Sequence, residues 1–114
     1  MNAPLTILAT AIAVLPTLAV ADTTCQPRIL ESRTTFPMRS QLRGQEGIVY
    51  IDVQIDSNGR ATRTELQHSS GYRLLDRAAL ESVRNHWTFD ISNCVRKDLP
   101  ATHRIGVDFR NGEY

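Results

Sequence analysis

His68, Ser69, Ser70 and Asp76 place an imidazole, two hydroxyls and a carboxylate close together in the chain. These are the residue types from which a serine nucleophile, its base and an orienting acid are built. Such a nucleophile also needs an oxyanion pocket, often raised on a sharp Gly-x-Ser-x-Gly turn, and that motif is absent. The same residues suit a helix entrance. Serine hydroxyls satisfy free N–H groups at a helix start, Gly71 permits the turn, and Asp76 in the first turn complements the positive end of the helix dipole. The entrance reading needs no further assumption, so no residue is assigned a catalytic role.

Metal chemistry is the next candidate. Read from Gln54, the stretch QIDSNGRATRTE sets Asp56, Asn58, Gly59 and Glu65 at the third, fifth, sixth and twelfth places of a calcium loop. A neutral Gln54 occupies the first place, and both flanks alternate like strands where helices are required. A hairpin turn accounts for the same residues without an ion, because Asn58-Gly59 adopts the positive φ that tight turns demand. His68, His86 and His103 have no zinc-like partner spacing, so no metal site is assigned. Trp87 reads as the end of an apolar helix stripe, and Arg39, Arg43, Arg60 and Arg63 as a solvated face.

The elements that carry these residues follow from periodicity. Val49, Ile51, Val53 and Ile55 alternate with Ile48, Tyr50, Asp52 and Gln54, the pattern of a half-buried strand. After the Asn58-Gly59 turn a second, more exposed strand begins near Arg60. Leu75, Ala79, Val83 and Trp87 recur every fourth residue with Leu80 beside them, while Arg73, Arg77, Glu81 and Arg84 fall opposite, which predicts an amphipathic helix. Ile105, Val107 and Phe109 alternate with charged residues and glycine in a third strand. Pro37 to Gly47 holds one short helix that stops at Gly44 or Gly47. The expected fold is α+β: a small three-stranded antiparallel sheet with the most apolar strand central, one amphipathic helix packed across it, and a short N-terminal helix.

The 114 residues suffice for one small domain. Leu5 to Ala21 carries no charge and ends in Ala19-Val20-Ala21 before Asp22, the small-x-small pattern of an export signal. Its length, about 17 residues, and Pro16 favour a cleaved signal over an anchor, and an uncleaved inner-membrane anchor is the alternative. Residues 22–35 have no period and read as a linker. After export, Cys25 and Cys94 can pair in an oxidising compartment and close a loop of about 70 residues, the alternative being two unlinked buried thiols. A net charge of +1 and few aromatics argue against a nucleic-acid partner.

Several segments together resemble one family, the C-terminal domain of the TonB energy transducers. They are FPMRSQLRGQEG, GIVYIDVQIDSNGRAT and SSGYRLLDRAALESVRNHWTF, covering most of residues 36–89. Phe36-Pro37 stands where the family often has Tyr-Pro, and Gly59-Arg60 at its "DG-R" turn. Ser69-Ser70-Gly71-Tyr72, Leu75-Asp76, Ala78-Ala79-Leu80 and Trp87-x-Phe89 match its helix signature, whereas Asp90 replaces the usual proline. The resemblance implies a domain over residues 36–112 that works in the periplasm without catalysis or cofactor. It implies binding of the TonB box, a short strand of an outer-membrane transporter, along the edge of the last strand. Thr102, His103, Arg104, Ile105, Gly106, Val107 and Asp108 would carry that contact, and Gln41 would meet the box from the segment before the first strand. An inner-membrane energising complex or a full-length transducer are further partners so implied, and an open edge can also pair with a second copy. A rival role on the same fold is an envelope module with a peptidoglycan or envelope-protein partner.

Overall fold

The alternation from Val49 to Ile55 produces the strand on which everything else is assembled, β2 (Gly47–Ile55). The computed structural model describes residues 25–110. The signal or anchor at residues 1–21 and the outer ends of the expected linker and domain lie outside the described residues. Strand β1 (Arg28–Glu31) comes first, followed by helix α1 (Met38–Leu42) and β2. Next come β3 (Ala61–His68), helix α2 (Arg73–His86), β4 (Thr88–Asp90), a 3-10 turn at Arg96–Asp98 and β5 (Ala101–Phe109).

Strand β2 is central in the order β3-β2-β5, and both pairings are antiparallel. Its register with β5 runs unbroken from Gly47 opposite Phe109 to Ile55 opposite Ala101. The β3 pairing shifts register twice, which matches the poor alternation of that strand. One face of the sheet carries Val49, Ile51, Val53 and Ile55 with Ile105, Val107 and Phe109, all buried under α2. Leu75, Ala78, Ala79 and Val83 answer from the helix, and Trp87, Phe89 and Phe36 close the ends. The Phe36 and Phe109 rings meet edge to face at 5.3 Å, which fixes the chain entering α1 against the end of β5. The expected α+β architecture is therefore the one that forms.

Three local features differ from the sequence reading. Part of the segment read as a linker forms β1, which pairs antiparallel with β4 in a second, two-stranded sheet. No period announces β1 because all its side chains are exposed and its hold is the pairing itself. Trp87 lies beyond the helix: α2 ends at His86, and Trp87 is extended (φ −74°, ψ 139°) yet buried. The third difference is at the helix entrance. Tyr72 is the N-cap residue, and no side chain caps the first turn directly.

The serines act one step earlier. Asp76 reaches back to accept hydrogen bonds from the Ser70 N–H (2.9 Å), the Ser70 hydroxyl (2.7 Å) and the Ser69 hydroxyl. Ser69 Oγ accepts the Gly71 N–H at 3.0 Å, and Ser70 Oγ the Tyr72 N–H at 3.1 Å. One carboxylate thus organises the whole bend from β3 into α2. Asp76→Ala should leave these donors without their acceptor and cost about 1–2 kcal/mol in a urea titration. Ser69→Ala should cost less, since the Ser70 bonds survive.

Candidate partner-binding edge

Strand β5 is an edge. Among the described residues its one strand partner is β2, so on its outer side alternate residues present backbone N–H and C=O groups to no strand. The core fixes how β5 displays its side chains. Ala101, Ile105, Val107 and Phe109 are buried beneath α2 with His103 partly covered, while Thr102, Arg104 and Gly106 are exposed on the other face and Asp108 is half-buried there.

A cleft of about 290 Å³ runs beside this edge, lined by Gly106, Val107 and Asp108 of β5 and by Ser32, Thr34 and Trp87. Tertiary bonds build its far wall. The indole N–H of Trp87 donates to Thr34 Oγ1 (3.1 Å), Thr34 Oγ1 donates to the Ser32 carbonyl (3.0 Å), and the Thr35 N–H donates to Ser82 Oγ (3.1 Å) on α2. Ser82 is buried, and its hydroxyl accepts this bond across 47 residues of sequence. Upstream, the Cys25–Cys94 disulfide and the bond from Asn93 Nδ2 to the Gln26 carbonyl (3.1 Å) anchor the same segment to the loop after β4. The disulfide alternative for the two cysteines is thus the one adopted.

Gln41 sits on α1 with its side chain exposed, and its amide donates to the Phe36 carbonyl at 3.0 Å. It is linked to β5 indirectly, through the Phe36–Phe109 contact. On the open face of the sheet Arg104 holds Asp52 of β2 through Nε (2.8 Å) and Nη2 (3.2 Å). That hydrogen bond keeps the Asp52 carboxyl below the usual carboxylate range. The pair's contribution is present at neutral pH and is lost as the pH falls through the lowered value, and solvent screening keeps it small. Asp108 pairs with Arg110 at 2.8 Å.

The other sequence candidates resolve into turn chemistry. Asp56 Oδ1 accepts the N–H groups of Asn58 (2.8 Å) and Arg60 (3.0 Å), closing the hairpin, while Glu65 lies along β3 opposite Asp52. Among the described residues no group of three or more His, Cys, Asp or Glu converges as a metal site would require. The family resemblance implies the β5 residues and Gln41 and does not point to the opposing wall. Trp87 was visible as part of Trp-x-Phe, whereas nothing in the sequence marks Ser32 or Thr34.

Comparison with known proteins agrees with this architecture. The family model for the C-terminal region of the Gram-negative bacterial TonB protein matches residues 32–110. The TonB protein of Vibrio cholerae is 30% identical over 103 residues, covering 83% of this chain and 41% of that protein. TonB of Xanthomonas campestris is 32% identical over 74 residues, covering 65% of this chain and 33% of its own length. The chain thus spans less than half the length of these curated relatives. The solution structure of the Pseudomonas aeruginosa TonB C-terminal domain superposes with a TM-score of 0.56 at 22% identity, covering 83% of this chain and 94% of that one. The Helicobacter pylori TonB C-terminal domain gives 0.55 at 23% identity, covering 73% and 86%. No helix among the described residues is long and apolar enough to cross a membrane.

Proposed function

Because the chain belongs to the Gram-negative TonB C-terminal family, we propose that it is a periplasmic binding domain which captures a TonB-box-type strand of an outer-membrane transporter by pairing it with β5. The observation that carries this reading is the single-sided pairing of β5, whose other side faces the cleft walled by Ser32, Thr34 and Trp87. An extended peptide entering there satisfies the outward backbone groups of the strand, the mode of recognition by strand addition. Its alternate side chains then point towards the Trp87 side or the open face. The work is binding and the coupling of transport to an energy source, with no catalytic step assigned to any residue.

The contact residues are Thr102, His103, Arg104, Ile105, Gly106, Val107 and Asp108, with Gln41 near the end of the strand. The energising partner is an inner-membrane complex or a full-length transducer. Export by the N-terminal segment, residues 1–21, puts the domain where both membranes' proteins are reachable.

Titration of the oxidised chain with synthetic TonB-box peptides, followed by amide chemical shifts, tests the proposal. The expected result is a contiguous set of shifted amides from Thr102 to Asp108, with smaller changes at Gln41 and Thr34. Shifts confined to β3, or none with any peptide, would overturn it.

A further inference from the structure

Main-chain pairing recognises an extended strand but not its sequence, so any preference among partners must come from side chains beside β5. The glycine at the middle of this edge is the informative position. A glycine inside a strand weakens it, and one retained there commonly marks a close approach by another group. Gly106 does not have the positive φ that would demand glycine, so its backbone accepts any residue. What occupies the vacant space is Tyr50, its direct partner on β2. A Cβ on Gly106 would stand 3.1 Å from Tyr50 Cε1 and 3.5 Å from both Tyr50 Cδ1 and Ile48 Cγ2.

Tyr50 and Ile48 lie on the face of the sheet away from α2, and they are 40% and 37% exposed. The neighbours of Gly106 on that face of β5 are polar: Arg104, turned to Asp52, and Asp108, bridged to Arg110. Along the outer row, then, polar side chains give way at one place to bare backbone overlain by an aromatic ring. Adjacent strands run about 4.8 Å apart, so a side chain on an added strand can lean over Gly106 and touch the ring, whereas beside Arg104 or Asp108 a side chain stands in the way. An aromatic laid across a strand glycine is also a recognised packing unit.

We propose that Gly106 is a window in the capture strand, through which one side chain of the bound peptide packs on the Tyr50 ring and Ile48. The partner is therefore an extended segment with a large apolar residue in register with Gly106. This rests on the reading that a strand pairs with β5, and it adds the feature by which that strand is selected.

The test is a coupling measurement on the oxidised chain. A TonB-box peptide that shifts the β5 amides is changed to alanine one position at a time, and affinities are measured for the unaltered protein, Tyr50→Ala and Tyr50→Phe. At one apolar position alanine should weaken binding about fivefold with Tyr50 or phenylalanine present, and less than about twofold with Tyr50→Ala. Gly106→Ala sets a methyl against the Tyr50 ring on the side the peptide would approach, so it should weaken the parent peptide and spare the alanine peptide. If peptides shift the β5 amides and no position couples to Tyr50, the window is refuted while the pairing stands. If Tyr50→Ala weakens every peptide equally, the ring merely supports the strand and the window is again refuted. If no peptide shifts the β5 amides, the pairing itself fails and the window with it.

Discussion

Replacing Cys25 and Cys94 together with serine is expected to lower the unfolding free energy by about 4 kcal/mol, the loop-closure entropy the crosslink removes from the unfolded chain. The sequence separation is 69 residues, so the closed loop takes in every element from β1 to β4 and leaves β5 outside it. A small domain has a total stability of roughly 5–15 kcal/mol, and the loss is a large share of it. Denaturant midpoints should fall alike for the double-serine variant and for the reduced native chain. A loss below about 1 kcal/mol would reject the entropic account.

The same variant should loosen one region first. Strand β1 has four residues, all exposed, and its strand partner is the three-residue β4. Few buried contacts hold it once the crosslink is gone. Amide exchange should therefore quicken at Ile29, Leu30 and Thr35 before it does at Ile51 and Val53. Since Ser32 and Thr34 wall the cleft beside β5, peptide affinity should drop with it.

Gly59→Ala is the second large effect, with an expected cost of about 3 kcal/mol. Gly59 has φ +72°, where a Cβ is strained, and any Cβ there would overlap the Phe89 carbonyl oxygen, a backbone atom that cannot rotate away. The hairpin tip is docked on β4: the Phe89 N–H donates to the Gly59 carbonyl at 2.8 Å, and Arg60 bridges to Thr88. Alanine must lift the tip from β4 and disturb the β1 pairing behind it. Gly44 provides the internal control, because it has φ +64° with nothing within 4 Å of an added Cβ. Gly44→Ala should cost only the conformational part, about 1 kcal/mol. Equal losses at the two sites would show that the contact with β4 contributes nothing.

Gly59 also shows where sequence reading stops. Asn58-Gly59 announces a turn from local chemistry, and the turn forms, closed by Asp56 as an alternating hairpin requires. Nothing local says that the tip will press on Phe89, since that contact joins segments 30 residues apart, from Gly59 to Phe89. Ser82 is a similar case. On a helical wheel it is a polar residue beside an apolar stripe, and only the docking of Thr35 onto α2 makes it a buried acceptor.

By itself the sequence determined the elements whose burial is periodic: the inward row of β2, the covering face of α2, and the alternation of β5 that leaves Arg104 and Gly106 outward. Period and burial are one phenomenon, because a regular backbone turns every second or fourth side chain to the same side. The tertiary structure decided what has no period. That includes the β1–β4 pairing, the crosslink's choice between open alternatives, the wall of Ser32 and Thr34, and the seating of Tyr50 over Gly106. These depend on hydrogen bonds and close approaches between distant segments, which constrain positions in space and leave almost no regular mark along the chain.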